Sequence, residues 1–141
     1  MVVLDCPISS QSWKDNGVNR NGNSRLPLEV NGNNTLRDSK WDECFDKIDR
    51  LRYLGNAWDG DVARSPNAAT VSSAIELVSL FRRFAVPVPG RIAPGLGGEV
   101  ILEWHFPDGT YAEVEIVRPY FAEVMVFEPG KSARHWTLPT D

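Results

Sequence analysis

Four glutamates, Glu103, Glu113, Glu115 and Glu123, stand at alternate positions of three short segments whose intervening residues are apolar. Such alternation marks a β-strand with one buried face, so the carboxylates share the other face. Tyr111, His105, Met125 and Phe127 fall in the same phase. Two chemistries suit this set. Paired carboxylates perform acid–base catalysis, as in glycoside hydrolysis, when a cleft gives them unequal environments. A row of like charges on an open face instead attracts a basic partner and speeds its association. A flat three-stranded face in a small domain offers no cleft. The preferred expectation is therefore a non-enzymatic interaction module of the antitoxin, inhibitor or accessory-subunit type. Its docking surface for a basic protein comprises Glu103, Glu113, Glu115 and Glu123 with Tyr111 and Phe127.

The turns set the register that creates this face. Pro107-Asp108-Gly109 suits a three-residue hairpin loop, with proline at the first turn position and glycine at the left-handed one. Trp104 then lies opposite Ala112, Leu102 opposite Val114, and Val100 opposite Ile116. A two-residue loop would set Leu102 against Glu113 and mix the faces. Treating Arg118-Pro119-Tyr120 as another three-residue loop sets Ile116 opposite Ala122, Val114 opposite Val124 and Ala112 opposite Val126. On the other face Glu103 meets Glu113 and Glu115 meets Glu123. Like charges directly opposite cost roughly a few tenths to 1 kcal/mol per pair. Folding alone gives no reason to place them there; Arg118, Lys131 or Arg134 could soften the repulsion.

The elements that must carry this sheet are legible too. Trp41, Cys44, Phe45, Ile48, Leu51 and Leu54 recur at helical spacing, predicting a helix that starts near Ser39, with Asp42 as its capping partner, and stops at Gly55. A second helix is expected after Ser65-Pro66, with Val71, Ala74, Ile75, Leu77, Val78, Phe81 and Phe84 on its apolar side. Strands are expected over residues 91–93, 99–106, 111–117, 121–128 and 134–138. Two helices followed by a meander predict an α+β fold: two helices on one face of an antiparallel sheet of four to five strands.

Residues 1–37 are rich in Asn, Gly, Ser and Asp and predict a flexible or docking leader, with short apolar islands at Trp13 and at Leu26-Pro27-Leu28-Glu29-Val30. Residues 38–141 then form one domain. Net charge is −4, which argues against a general nucleic-acid binder. Two distant cysteines, Cys6 and Cys44, read as free thiols. No run approaches the roughly 18 apolar residues that span a membrane, and no signal segment is evident. A soluble cytoplasmic protein without membrane partner is expected, and the edge of its last strand allows a homodimer.

The segment Leu51-Arg52-Tyr53-Leu54-Gly55-Asn56-Ala57-Trp58-Asp59-Gly60, a Pro66-started helix, and Gly97-Gly98 before Leu102-Glu103-Trp104 resemble a group of small uncharacterised bacterial proteins. That group has a Trp-Asp-Gly turn and a Gly-Gly strand closing on Leu-Glu-Trp. The resemblance covers about residues 51–116. It departs at Asp61-Val62, where the group carries an aromatic residue and a glycine. It implies a fold and a mobile-element or defence-gene neighbourhood, and no known reaction.

The remaining motifs read as structure. Trp58, Asp59 and Gly60 suit a loop in which Asp59 closes an Asx-turn, Gly60 takes positive φ and Trp58 anchors the loop in the core. Gly95-Leu96-Gly97-Gly98 precedes a strand, whereas a phosphate cradle precedes a helix. Cys44 sits on an apolar stripe and reads as packing. No catalytic residue, cofactor or bound metal is expected. The alternatives are a metal-dependent or acid–base hydrolase built on His105 or His135 with glutamates, and a nucleic-acid binder through Arg82-Arg83 with Lys131, Arg134 and Trp136.

Overall fold

Trp41, Cys44, Ile48 and Leu51 recur every three or four residues, and all four are buried along one side of a helix. In the computed structural model, which describes residues 32–139, this helix, α1, spans Gly32–Arg50 and continues as a 3-10 turn, Leu51–Tyr53. It begins seven residues before Ser39, so the expected cap at Ser39 with Asp42 is not used. Leu36, Arg37 and Lys40 are good helix formers, and Asp38 is held from outside by Arg82 at 2.7 Å. The last residues of the expected leader are thus helical. Its remainder, with Cys6 and both apolar islands, lies outside the described residues. Leu54, expected on the apolar stripe, is exposed, and Gly55 turns the chain with φ 74°.

The second helix, α2, spans Ala68–Arg83. Asn67 caps it, its Oδ1 accepting the Thr70 N–H at 2.8 Å. The expected cap, Ser65, lies two residues too early: Pro66 biases it to extended backbone, and its N–H donates to Asn56 Oδ1 at 3.2 Å. Helix α2 ends with Val86 N–H donating to the Phe81 carbonyl and Ala85 N–H to that of Arg82, a Schellman closure in which Ala85 takes φ 59°.

Five strands follow: β1 (Arg91–Pro94), β2 (Val100–His105), β3 (Tyr111–Arg118), β4 (Phe121–Phe127) and β5 (Arg134–Leu138). They form one antiparallel meander in sequence order. The β2–β3 hairpin closes through three residues. Phe106 N–H donates to Thr110 O, and Gly109 sits at φ 88°. Trp104 therefore faces Ala112, Leu102 faces Val114 and Val100 faces Ile116.

The β3–β4 connection differs in detail. Ile116 pairs with Ala122 as expected, but Arg118 pairs with Phe121, so the turn is only Pro119-Tyr120 with a bulge at Val117. Tyr120 adopts φ 59° there and packs against the core. The bulge absorbs the extra residue and keeps Val114 opposite Val124, with the apolar face intact.

Leu102, Val114, Ile116 and Ala122 are fully buried on the face covered by the helices. Helix α2 lies against β2 and β3, and α1 reaches β1. Phe81 meets Trp104 edge to face at 5.9 Å, and Trp104 Nε1–H donates to the Pro87 carbonyl at 2.7 Å. No helix among the described residues covers the opposite face of the sheet. Among the described residues no helix is long and apolar enough to cross a membrane.

Candidate functional site

The pleat that buries Leu102, Val114 and Val124 sends Glu103, Glu113, Glu115 and Glu123 to the uncovered face. Glu103 pairs with Glu113, Ile101 with Glu115, and Glu115 with Glu123. Tyr111 stands between His105 on β2 and Phe127 on β4, and Met125 lies opposite Glu113. All six expected docking residues are therefore brought together on one face. Their environments are far from equivalent.

Glu103 is nearly buried, at 9% exposure. Arg91 of β1, its register partner, donates to Glu103 Oε2 at 2.7 Å. The Tyr111 hydroxyl lies 2.9 Å from Glu103 Oε1 and 2.5 Å from Glu113 Oε2, so its single proton is shared between two carboxylates. Burial pushes the Glu103 carboxyl up, but the Tyr111 hydroxyl and the Arg91 guanidinium outweigh it and hold Glu103 below the ordinary range. The Tyr111 phenol is driven well above its ordinary value by burial, then by its bonds to the two glutamates. Glu103 is thus a compensated, structural carboxylate rather than an exposed docking charge.

Arg91 is the site residue that the sequence reading missed. The expected strand bounds did not fix this register, which the structure sets by extending β1 to Pro94 and pairing Pro94 with Val100 and Arg91 with Glu103. None of the three expected softening cations takes that role. Lys131 Nζ and Arg134 Nη2 lie 2.7 and 3.7 Å from Glu128, and Arg118 stacks 4.4 Å above the Phe121 ring.

Glu115 has the opposite surroundings. Burial raises its carboxyl pKa, and the charges of Glu99, Glu113 and Glu123 raise it further. Neither Glu115 nor Glu123 has an ion pair among the described residues. With Glu113, Met125 and His135 they line a shallow depression of about 220 Å³. Phe127 lies beside it, 43% exposed. The uncompensated charge of the face is therefore centred on β3 and β4, away from Arg91.

Compared with known protein families, curated proteins and solved structures, the chain matches none of them. Its own geometry carries the argument. His105 on β2 and His135 on β5 are three strand spacings apart, about 14 Å at the usual interstrand distance. They cannot share one ion, and no group of three His, Cys, Asp or Glu residues among the described ones is arranged to hold a metal. Of the expected nucleic-acid cations, Arg82 is paired with Asp38, and Lys131 and Arg134 with Glu128.

The loop residues are held by local bonds. Asp59 Oδ1 accepts the N–H groups of Asp61 and Ala63, Gly60 takes φ 85°, and Trp58 Nε1–H donates to the Arg64 carbonyl at 3.1 Å. Trp58 is half-buried and outside the core cluster, so it closes the loop rather than anchoring it in the interior. Arg64 pairs with Gly97 in an isolated bridge. In the glycine turn, Gly97 N–H donates to Glu99 Oε2 at 2.9 Å. A side chain at Gly97 would collide with that carboxylate. The anion held by this glycine-rich turn is the chain's own Glu99. Cys44, 3% exposed, has its thiol pushed up to about 12 by burial and is no nucleophile at neutral pH.

Proposed function

We propose that the protein is a non-enzymatic interaction module that docks a basic, extended segment of another protein on the open face of its sheet. The observation that carries this reading is the charge centre of Glu113, Glu115 and Glu123. It holds no cation among the described residues and lies beside exposed Phe127. A Lys- or Arg-bearing segment laid across β3 and β4 would relieve the repulsion around Glu115 and cover Phe127 and Met125. The field of the glutamates would raise its association rate in a salt-dependent way. An antitoxin, inhibitor or accessory subunit would fit this reading.

The test is capture of partners from a cell extract by the tagged protein, at low and then high salt, beside the Glu115→Lys/Glu123→Lys variant. Neither residue has an ion pair to lose among the described residues, and the charges acting on Glu115 are all glutamates, so the variant should melt at the same temperature or higher. A stoichiometric basic partner that is retained at low salt and lost with the variant is the expected result. Retention unchanged in the variant would move the docking surface elsewhere.

A further inference from the structure

A second surface lies on the helix side of the molecule, at the edge of β1, which pairs with no further strand among the described residues. Helix α1 and residues 85–92 enclose a groove of about 620 Å³. Arg37, Lys40, Cys44 and Lys47 line it from α1. Their spacing of three, four and three residues places them in one stripe along the helix. Cys44 is the buried floor of that stripe, and its three cations form the rim. None of the three makes an ion pair among the described residues, and Glu43 is the single carboxylate in the lining. Val88 and Ile92 supply an apolar wall opposite. Arg91 stands at the corner, its side chain 65% exposed although one guanidinium nitrogen reaches Glu103.

The backbone of that wall is also available. Gly95 N–H donates to Glu99 O, which fixes the alternation along the β1–β2 ladder. Residues 91, 93 and 95 point their polar groups at β2, and Ile92 directs its N–H and C=O to the outer edge. Pro94 has no N–H to offer, so the edge is short and has one donor. A cationic rim, an apolar wall and a free strand edge together fit an extended chain with carboxylates on one side. A peptide can use all three features.

We propose that this groove binds an extended acidic peptide segment of a partner protein, its carboxylates toward Arg37, Lys40 and Lys47 and its backbone paired to β1 at Ile92. Nucleic acid fits less well. The groove has no aromatic platform for bases, and the net charge of −4 opposes a polyanion. Because the groove takes negative charge and the open face positive charge, this site does not depend on the docking surface proposed above. Together the two would let one small domain bridge partners of opposite charge.

The experiment uses the full chain, ¹⁵N-labelled, titrated with a synthetic nonapeptide that alternates Glu or Asp with Val or Ile. Affinity is read by fluorescence anisotropy of the same peptide carrying a dye. Saturable shifts at the Ile92 and Ala93 amides and along α1 from Lys40 to Lys47 are expected. The exposed pair Lys40→Glu/Lys47→Glu should keep its circular dichroism and lose about tenfold or more in affinity, mostly lost on raising salt. Glu115→Gln/Glu123→Gln should bind the peptide as the unaltered protein does, which separates a failure here from a failure of the open-face reading. The groove proposal is overturned by no binding, by equal binding to the Lys40→Glu/Lys47→Glu protein, or by shifts confined to β3 and β4. Tighter binding of an oligodeoxythymidine of equal charge at the same residues would also overturn it, in favour of a polyanion site.

Discussion

The two faces of the sheet are built from the same strands and obey different rules. On the covered face Leu102, Val114, Ile116 and Ala122 are equivalent: each is wholly removed from water, and each is stabilised by area and close packing. On the open face Glu103 and Glu115 sit on neighbouring strands, and their environments oppose each other. Glu103 is nearly buried, bonded to Tyr111 and Arg91, and shifted down. Glu115 is half-buried among Glu99, Glu113 and Glu123 and shifted up. A hydrophobic face needs only the right period, because burial is non-directional. A charged face depends on the neighbours of each charge. The open face is therefore graded, compensated near β1 and uncompensated across β3 and β4.

Three substitutions would break or sharpen this contrast. The largest effect belongs to the covered face. Leu102→Ala should cost about 2–5 kcal/mol of unfolding free energy by denaturant titration, because the fully buried site cannot collapse around the loss. A cost near zero would mean that the helices do not close over β2. Next comes Glu103→Gln, which should destabilise by about 1–3 kcal/mol at neutral pH by weakening its bonds to Arg91 and Tyr111. Arg91 is largely exposed, which favours the lower end of that range. If the melting temperature did not move, Glu103 would belong with the docking charges after all.

The smallest change, of opposite sign, is expected for Glu115→Gln. Removing a charge surrounded by like charges should raise stability by roughly 0.2–1 kcal/mol at neutral pH. The pH dependence follows from linkage. The folded Glu115 carboxyl lies above its unfolded value, so its ionisation destabilises the fold at neutral pH, and that loss is recovered as pH falls through the raised folded value. The folded Glu103 carboxyl lies below its unfolded value, so its contribution is present above the ordinary carboxyl range and is lost as pH falls through the lowered value. Melting curves from neutral to acid pH should show the Glu115→Gln advantage vanish first and the Glu103→Gln penalty vanish at lower pH. The reverse order would mean that the two environments have been exchanged.

Much of the fold was legible because it is local. Period-two alternation marked β2, β3 and β4, and Gly109 after Pro107-Asp108 closed their hairpin in the register observed. The helix stripes were equally plain, while both helix starts were misplaced. Ser39 and Ser65 have good capping chemistry, but α1 starts earlier, at Gly32, through Asn33, Asn34 and Thr35, whose low helix propensity gave no sign of it, and Asn67 stands immediately before α2. Trp58 looked like an anchor by size and lies outside the core, because the Asp59 turn holds its loop at the surface. The six expected docking residues share a face. Which of them carry free charge could not be read from their spacing.

By itself the sequence determined the α+β class, the meander, the register of the apolar pairs joining β2, β3 and β4, and the placement of the glutamates on one face. These follow from side-chain period and turn closure, which act over a few residues. Only the tertiary structure decided that Arg91 neutralises Glu103 and that Tyr111 ties Glu103 to Glu113. It also decided that Glu115 is left among like charges, and that the cationic stripe of α1 lies beside the edge of β1. The energy of a charge depends on distance and dielectric in three dimensions. Those are set by which elements pack together, and the order of residues along the chain does not state them.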